Sequence, residues 1–321
     1  MSVDIVRSPI SGQCERRSLS STVAPVPCRG ATRREGVLDS ADRCAINFDN
    51  VVFSGGGNRC FWQAGFWSVV APALNLKPSR VAAVSAGSAI ACALFSGAFD
   101  KGFASYKKAL MRNGSNLYLR NLFRDQPVFP HGKMYRDAIL SCINERSLSR
   151  LQKGPEIRIL ISCPPHWASP RMALLLGMVA VGIDTLAKDR VHFSAGQRIG
   201  FRPLFVSVRE CKTPASLVDL IIASSCAPPL TPQARRNDIV LLDGGLVSNV
   251  PTDGVSDNHG DTLVLLTRQF TKLPEIPGRT YIQPSQPIPV VAWDYTNLAA
   301  LQSTFDLGRR DGEYFCSSLC P

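Results

Sequence analysis

Short apolar runs alternate with longer helix-like segments from about residue 45 onward. The runs are rich in Val, Ile and Leu, and they are INFDNVVF at 46–53, VAAV at 81–84, EIRILISC at 156–163, PLFVSV at 203–208, DIVLLDGG at 238–245 and DTLVLLT at 261–267. This composition is typical of parallel strands that are buried on both faces. Because helical patterns separate the runs, the sequence predicts a three-layer α/β/α domain with a mostly parallel central sheet.

The helix-like segments lie between and after these runs. Residues 58–74 have an apolar face, residues 100–150 are mainly helical with breaks near 113–114 and 127–132, and a last helix is predicted at about 295–313. The Pro-rich stretch 273–289 predicts a surface loop before that last helix.

The first part of the chain lacks this pattern. Residues 1–44 are rich in Ser, Pro and Arg with little periodicity. Such a composition predicts a disordered basic and Ser-rich leader, followed by a single domain at 45–321. The leader has charges but no apolar stretch of the kind that a Sec signal peptide requires.

The longest apolar run is MALLLGMVAVGI, Met172 to Ile183. It falls short of the roughly 20 residues that span a bilayer, so the sequence predicts no transmembrane helix. A buried helix is the favoured interpretation of this run. A lid or a helix in a membrane interface are the alternatives.

The charge balance narrows the class of partner, and the cysteine usage indicates the cellular compartment. The chain has 36 Lys and Arg against 25 Asp and Glu, a net charge of +11, but no basic block of the kind found in nucleic-acid-binding arms. We therefore expect no nucleic acid, and a transient anionic membrane surface is the favoured partner beside plain solubility. Eleven irregularly spaced cysteines without a C-x-x-C pair argue against a disulfide framework or a metal site, and they favour a reducing, cytoplasmic location.

Three consecutive glycines, Gly55, Gly56 and Gly57, follow the first strand-like run and precede Asn58 and Arg59. Glycine loses more backbone freedom on folding than other residues, so three together indicate that the loop needs bare backbone or positive φ. A Gly-rich turn between a strand and a helix points peptide N–H groups at an anion. That anion is either a bound phosphate or a transient oxyanion.

Ser85 lies in AVSAG, between the apolar run VAAV and the helix-like SAIACALF. This is a small-residue version of the nucleophile elbow, in which a tight strand-to-helix turn exposes a serine hydroxyl. Ser194 in FSAG and Ser54 in SGGG are similar by chance, but no such helix begins after Ser194. A plain helix N-cap is the alternative role of Ser85.

A serine nucleophile needs a base, and Asp243 in LLDGG is the best carboxylate candidate. It ends a strand-like run before Gly244 and Gly245, so its side chain should project at the carboxyl edge of the sheet, where ligands bind in open α/β folds. Considered alone, an Asp-Gly-Gly is often only a turn.

In this order the three features resemble the patatin-like phospholipase family. The family's Gly-Gly-Gly-x-Arg loop, G-x-S-x-G elbow and D-G-G motif correspond to residues 55–59, 83–87 and 243–245, and the resemblance extends from about residue 46 to 312. The segments 223–229 and 249–251 also look like that family. Alanine stands at position 83 where the family pattern usually has glycine, which we expect to be tolerated if φ there is negative. Cys226 is also atypical.

The resemblance implies a patatin-like fold and a lipid acyl hydrolase that forms an acyl-enzyme. In that interpretation Ser85 is the nucleophile, Asp243 is the base, and no histidine takes part. The implied oxyanion donors are Gly55, Gly56, Gly57 and Asn58, and the supporting residues are Arg59, Gly87, Gly244 and Gly245. The implied substrate is a phospholipid or another acyl lipid, with no metal or organic cofactor. Arg59 either holds the loop or meets a lipid phosphate.

Three other interpretations stay open at this point. Ser85, Asp243 and His259 occur in the chain order of an α/β-hydrolase triad. A non-catalytic membrane-binding or regulatory protein could keep the same fold. A nucleotide- or phosphate-binding module fits poorly, because no Lys-Ser/Thr follows the glycines and no G-x-G-x-x-G is present.

Overall fold

A mixed β-sheet of nine strands lies at the centre of the part of the chain that the structure describes. The structure, a computed structural model, describes residues 5–6, 47–123, 128–186, 190–227, 234–236 and 239–319. The strands are β1 Ile5–Val6, β2 Asn50–Phe53, β3 Arg80–Val84, β4 Glu156–Cys163, β5 Arg202–Ser207, β6 Ala234–Arg236, β7 Ile239–Asp243, β8 Thr262–Leu265 and β9 Arg279–Ile282. Their order is β1-β9-β8-β2-β3-β4-β7-β6, with β5 also paired to β4.

The centre of the sheet is parallel, and its ends are antiparallel. Strands β9, β8, β2, β3 and β4 run in one direction. Strands β5 and β7 both pair antiparallel with β4, so the prediction that PLFVSV and DIVLLDGG are parallel strands is wrong. The physical reason is that apolar composition reports burial, whereas strand direction depends on the connections between strands.

Helices cover both faces of the sheet. They are α1 Phe61–Ala73, α2 Ala86–Phe95, α3 Phe99–Arg112, α4 His131–Cys142, α5 Glu145–Lys153, α6 Pro170–Leu186, α7 Ala195–Ile199, α8 Pro214–Ser224 and α9 Leu298–Leu319. Along β2, Val51 and Phe53 pack into the core on one face while Val52 packs into the core on the other. This alternation confirms the predicted three-layer α/β/α fold.

Helices α1 and α9 pack closely against each other on one face of the sheet. A Cβ atom added to Gly65 of α1 would collide with the carbonyl oxygen of Phe305, and one added to Gly308 of α9 would collide with that of Trp62. The indole N–H of Trp62 donates to Asp311 of α9 across a distance of 2.7 Å. This contact fixes the position of α1, which directly follows the glycine loop.

The predicted surface loop at 273–289 contains a buried strand. Strand β9 pairs parallel with β8, and its residues Tyr281 and Ile282 are fully buried. The expectation of a surface loop is therefore wrong for these residues. The strand is only four residues long, and the prolines on both sides of it hid its pattern.

Residues 172–183 form a helix, but the expectation that this helix is buried is wrong for one of its faces. Helix α6 contains the run, and Ala173 and Ala180 are buried against the protein, but Leu175 and Met178 are each 57% exposed. The physical reason is that a run that is apolar on every side does not show which side the protein covers. Within the described residues, no helix is both long and apolar enough to cross a membrane.

The predicted leader falls largely outside the described residues. Its described part is β1, which pairs antiparallel with β9 at one end of the sheet. The disorder of residues 1–44 stays a prediction.

Candidate active site

Ser85 lies at the sharp turn between β3 and α2. Its backbone has φ 53° and ψ −136°, a combination that non-glycine residues rarely adopt. The Ser85 N–H donates to Ser224 Oγ at 2.8 Å, and the Ser224 hydroxyl donates to the Leu160 carbonyl at 2.7 Å. The Ser88 hydroxyl donates to the Ser85 carbonyl at 2.6 Å. These bonds stabilise the strained turn and hold the Ser85 hydroxyl at the amino end of α2.

The residues around the turn must be small. A Cβ atom on Gly87 would lie 2.8 Å from the carbonyl oxygen of Phe53 and even nearer to that of Ser54, so only glycine fits there. Ala83 lies in β3, and it is not among the residues with positive φ. The alanine at this position therefore meets the condition under which we expect it to be tolerated.

The pairing of β7 with β4 brings Asp243 to this turn. Strand β3 pairs with β4 as far as Val84, which lies opposite Leu160. The next residue of β4, Ile161, pairs with Asp243 instead. Strand β5 pairs with the other side of β4. Strand β7 therefore pairs with the same side of β4 as β3 does, just beyond the point where β3 ends. Asp243 thus lies at the carboxyl edge of the parallel centre, as the sequence predicts, but it arrives from an antiparallel strand.

The Ser85 and Asp243 side chains are in direct contact. The Ser85 hydroxyl donates to Asp243 Oδ2 at 2.7 Å, and the N–H of Gly245 donates to Oδ1 at 2.7 Å. Asp243 keeps some solvent exposure, but protein atoms enclose its carboxyl group. This burial raises the pKa of Asp243 from its ordinary value of 3.8 to about 6, and the hydrogen bonds from Ser85 and Gly245 act in the opposite direction. Gly244 packs so closely on the Leu160 carbonyl that a Cβ would not fit.

The glycine loop lies beside the serine, but two of its four predicted donors are already used. The N–H of Gly55 donates to the Asn249 carbonyl at 3.0 Å, and that of Asn58 donates to the Ala292 carbonyl at 2.9 Å. The predicted set of four oxyanion donors therefore needs correction, because an N–H that is bound to a carbonyl cannot also serve a substrate oxygen. Among the hydrogen bonds of the described residues, the N–H groups of Gly56 and Gly57 have no acceptor.

Polar residues from distant segments hold this loop in place. The Gly55 carbonyl accepts from the Thr267 hydroxyl and, at 3.4 Å, from the Asn249 amide. A Cβ on Gly56 would lie 2.5 Å from Thr267 Oγ1. Sequence reasoning missed Thr267 and the role of Ser224. The segments around Ser224 and Asn249 carried a family-like pattern, but nothing marked Thr267 except its place after β8.

Asn58 and Arg59 also support the loop. The Asn58 amide donates to the Asp294 carbonyl at 2.6 Å, and its oxygen accepts from the Tyr106 hydroxyl at 2.7 Å. The Arg59 Nε–H donates to the Gly56 carbonyl at 3.4 Å. Of the two roles considered for Arg59, this contact favours holding the loop.

Replacing Gly57 by alanine should disturb the glycine loop and lower the rate of hydrolysis. Gly57 has φ +57°, and its Cβ would collide with the Ala292 carbonyl. Since one oxyanion donor accounts for roughly 10²- to 10³-fold in rate in comparable sites, we expect Gly57→Ala to lower kcat by about 10²-fold or more. Ester hydrolysis assays measure this effect. Gly114→Ala is the matched control, because a Cβ there meets nothing within 4 Å; a Gly57→Ala protein with a wild-type rate would contradict the role of the loop.

His259 lies near the amino ends of the parallel strands, whereas Ser85 lies at their carboxyl ends. Its carbonyl accepts from the side chain of Asn50 at the amino end of β2, and its side chain is exposed. Ser85 follows the carboxyl end of the neighbouring strand β3, and a strand of four residues is about 13 Å long. None of the four histidines, all of which are described, hydrogen-bonds to Ser85 or Asp243. The structure therefore contradicts the triad interpretation.

Replacing His259 is expected to leave catalysis unchanged. His259→Ala should hydrolyse esters within about twofold of the wild-type rate, because surface substitutions remote from a site rarely perturb it. Steady-state kinetics on a soluble ester would show this. A loss of about 10²-fold or more, the usual contribution of a general base, would restore the triad.

An apolar pocket opens beside the serine. The space between its walls is about 640 Å³, a volume that includes open solvent at the mouth. Gly57 of the loop and Ala86, the residue after Ser85, line it at one end. Most of its other walls are apolar side chains of α2, α3 and α4, among them Ala89, Ile90, Ala93, Phe99, Phe103 and Ile139. The arrangement can accept an extended apolar group whose reactive end lies at Ser85.

Comparison with known proteins assigns the family. The model of the patatin-like phospholipase family matches residues 51–255, which is more than half of the chain and includes the glycine loop, Ser85 and Asp243. The chain therefore belongs to the patatin-like phospholipase family, a family of lipid hydrolases. Among solved structures it is similar to VipD from Legionella pneumophila, with a TM-score of 0.43 and 12% identity over 84% of this chain and 67% of that chain. No curated protein matches.

Proposed function

We propose that the protein is a lipid acyl hydrolase in which Ser85 and Asp243 form a catalytic dyad. The observation that carries this proposal is the 2.7 Å hydrogen bond from the Ser85 hydroxyl to the Asp243 carboxylate, beside two unused N–H groups of the glycine loop. A serine hydroxyl needs an adjacent base, and a carboxylate with a pKa of about 6 is a better proton acceptor at neutral pH than an ordinary aspartate.

The chemistry proceeds in two halves. Asp243 takes the proton from Ser85 as Oγ attacks the acyl carbon, and the carbonyl oxygen becomes negative within reach of Gly56 and Gly57. Each such donor stabilises the transition state by about 2.7 to 4 kcal/mol. The intermediate collapses to the acyl-enzyme as the proton passes to the departing alkoxide. Water then attacks the acyl-enzyme with Asp243 again as base, which releases the fatty acid and regenerates Ser85.

The pocket supports an acyl chain as the group that is bound. Because an α-helix rises about 1.5 Å per residue, the pocket wall along α2 extends roughly 10 Å from Ala86 to Ala93. Each buried methylene contributes about 0.8 kcal/mol, so a pocket of this length favours long chains over short ones.

Filling the far part of the pocket should change chain-length preference. Ala93→Phe is expected to lower kcat/KM for palmitoyl esters by about tenfold or more, because several methylenes lose their apolar contacts, and to leave butyryl esters nearly unchanged. A series of esters of increasing chain length measures this. Leu140→Phe, on the exposed side of α4, is the matched control. Equal losses for short and long chains would argue against an acyl-chain pocket.

We propose that the reaction takes place at an anionic membrane surface in a reducing, cytoplasmic compartment. The net charge of +11 supports the first part of this proposal. The free thiols of Cys60, Cys92 and Cys142 support the second, and burial raises the pKa of each, which keeps them unreactive.

Fatty-acid release from a mixed panel tests the proposed function. The wild-type protein should release fatty acid from at least one of phospholipid, lysophospholipid and triglyceride without added metal. A panel that yields no fatty acid beyond the background of protein-free vesicles would contradict the proposal.

A further inference from the structure

One face of α6 presents apolar side chains to solvent. Met172 is 43% exposed, Leu175 and Met178 are each 57% exposed, and Val179 is 47% exposed. Residues three, four and seven apart lie on one side of a helix, so these four side chains form a continuous strip. Trp167, just before the helix, adds an indole that is 58% exposed. We call these five residues the α6 strip.

The other face of α6 packs beside the catalytic aspartate. Ala173 and Ala180 are buried, and a Cβ on Gly177 would lie 3.4 Å from the Leu246 side chain and 3.5 Å from that of Leu242. Leu242 and Leu246 belong to the same β7 and Asp-Gly-Gly segment as Asp243. The α6 strip is therefore separated from the segment that contains Asp243 by the width of one helix. A helix that is apolar on all sides is typical of a buried element, so the uncovered face needs an apolar environment.

One basic side chain lies on the face of the α6 strip, and two others follow α6 along the chain. Arg171 lies on the same side of the helix as Leu175 and Met178, by its spacing of four and seven residues, and it is exposed. Arg190 and Arg198 are exposed near the end of α6 and on α7, which packs against α6. No ion pair to these three arginines occurs among the described residues, and the Arg198 guanidinium lies 4.8 Å from the centre of the Phe193 ring. An apolar strip with an exposed arginine on the same face and two more on the following segment matches the two layers of an anionic bilayer, acyl chains below phosphates.

We propose that the α6 strip docks the protein on an anionic lipid bilayer, with the apolar side chains among the acyl chains and Arg171, Arg190 and Arg198 at the headgroup phosphates. The proposal rests on the proposed lipid substrate. Interfacial Trp167 fits the boundary between headgroups and chains, where indoles are enriched. The exposed arginines and the chain's net charge of +11 complement an anionic surface, so a bilayer is the occupant that the charges favour.

Vesicle co-sedimentation tests the docking surface. The protein carries Ser85→Ala so that vesicles stay intact, and the vesicles are phosphatidylcholine with or without phosphatidylserine. In that background we expect Leu175→Gln with Met178→Gln to weaken binding to phosphatidylserine vesicles by about tenfold or more. Arg171→Gln with Arg198→Gln should weaken it by a similar factor only when phosphatidylserine is present.

Leu140→Gln with Tyr314→Gln is the matched control, because both side chains are exposed on helices of the opposite layer and are 47% and 44% exposed. The control should bind vesicles like the parent. Three results would overturn the proposal: a parent that stays in the supernatant, an α6 variant that binds like the parent, or an α6 variant that only dissociates an oligomer in analytical ultracentrifugation. Binding in the Ser85→Ala background requires no turnover, so failure of the proposed hydrolysis would appear separately, as absent fatty-acid release by the wild type.

Discussion

Ser85→Ala is expected to lower ester hydrolysis by at least about 10⁴-fold, because the proposed nucleophile is lost. The fold should persist. Alanine keeps the Cβ of serine, so the backbone at φ 53° is no more strained than before, and the hydrogen bonds of the turn to Ser224 and Ser88 use main-chain atoms of residue 85. Hydrolysis of a soluble ester, with circular dichroism to verify folding, measures the effect.

Ser194→Ala provides the comparison for this loss. Contrary to the sequence prediction, a helix does begin after Ser194 in the similar motif FSAG: it is α7, whose five residues are too few to leave a periodic pattern. The Ser194 hydroxyl caps this helix by accepting from the Gln197 N–H at 3.3 Å. Losing this cap should reduce stability by about 1 kcal/mol and leave the rate within a few-fold of wild type. A folded Ser85→Ala protein that retains most of its activity, or an inactive Ser194→Ala protein, would show that the nucleophile lies elsewhere.

Asp243→Asn is expected to lower kcat by about 10³-fold or more, because an amide can accept the hydrogen bond from Ser85 but cannot take its proton. In the proposed mechanism only the ionised carboxylate acts as base. Since the pKa of Asp243 is about 6, kcat/KM should rise with pH through about 6 and level off above it. A pH–rate profile that stays flat from pH 5 to pH 7, or an Asn variant with the full rate, would remove Asp243 from the reaction.

The same substitution should stabilise the protein at neutral pH. The folded-state pKa of Asp243, about 6, lies above the ordinary value of 3.8, so the carboxyl contributes stability that is fully present below 3.8 and is lost as the pH rises through about 6. A full shift of this size corresponds to roughly 3 kcal/mol, and partial solvent exposure of Asp243 reduces the expected gain for Asn to about 1 to 2 kcal/mol.

Urea unfolding at several pH values measures that gain. The free energy of unfolding of Asp243→Asn, relative to wild type, should increase between pH 4 and pH 7 and be constant above pH 7. Asp219→Asn is a useful control, because its carboxylate is exposed and pairs with Arg136 at the surface. A difference between Asp243→Asn and wild type that does not change with pH would contradict the raised pKa.

Local patterns in the sequence were sufficient to select Ser85 and Asp243, whose side chains the structure places in contact. Ser85 follows an apolar strand and opens a small-residue helix, and Asp243 ends another strand, so both belong at the carboxyl edge of a sheet whatever the details of its topology. The glycine loop was recognised because three glycines have few other uses after a strand. These features are local, and the structure brings them together.

Features that depend on distant parts of the chain could not be predicted in the same way. The N–H groups of Gly55 and Asn58 are engaged by carbonyls of Asn249 and Ala292, which lie about two hundred residues further along the chain. The antiparallel direction of β7 and the exposed face of α6 depend likewise on which neighbours the fold supplies. Composition indicates that a segment prefers an apolar environment, but it does not identify what provides that environment.

Mass spectrometry of the protein after reaction with a fluorophosphonate tests the dyad most directly. We expect a single phosphonyl adduct on the peptide that contains Ser85, formed much more slowly in Asp243→Asn because the hydroxyl then has no base. An adduct on another serine, or labelling of Ser85 at the same rate with and without the Asp243 carboxylate, would contradict it.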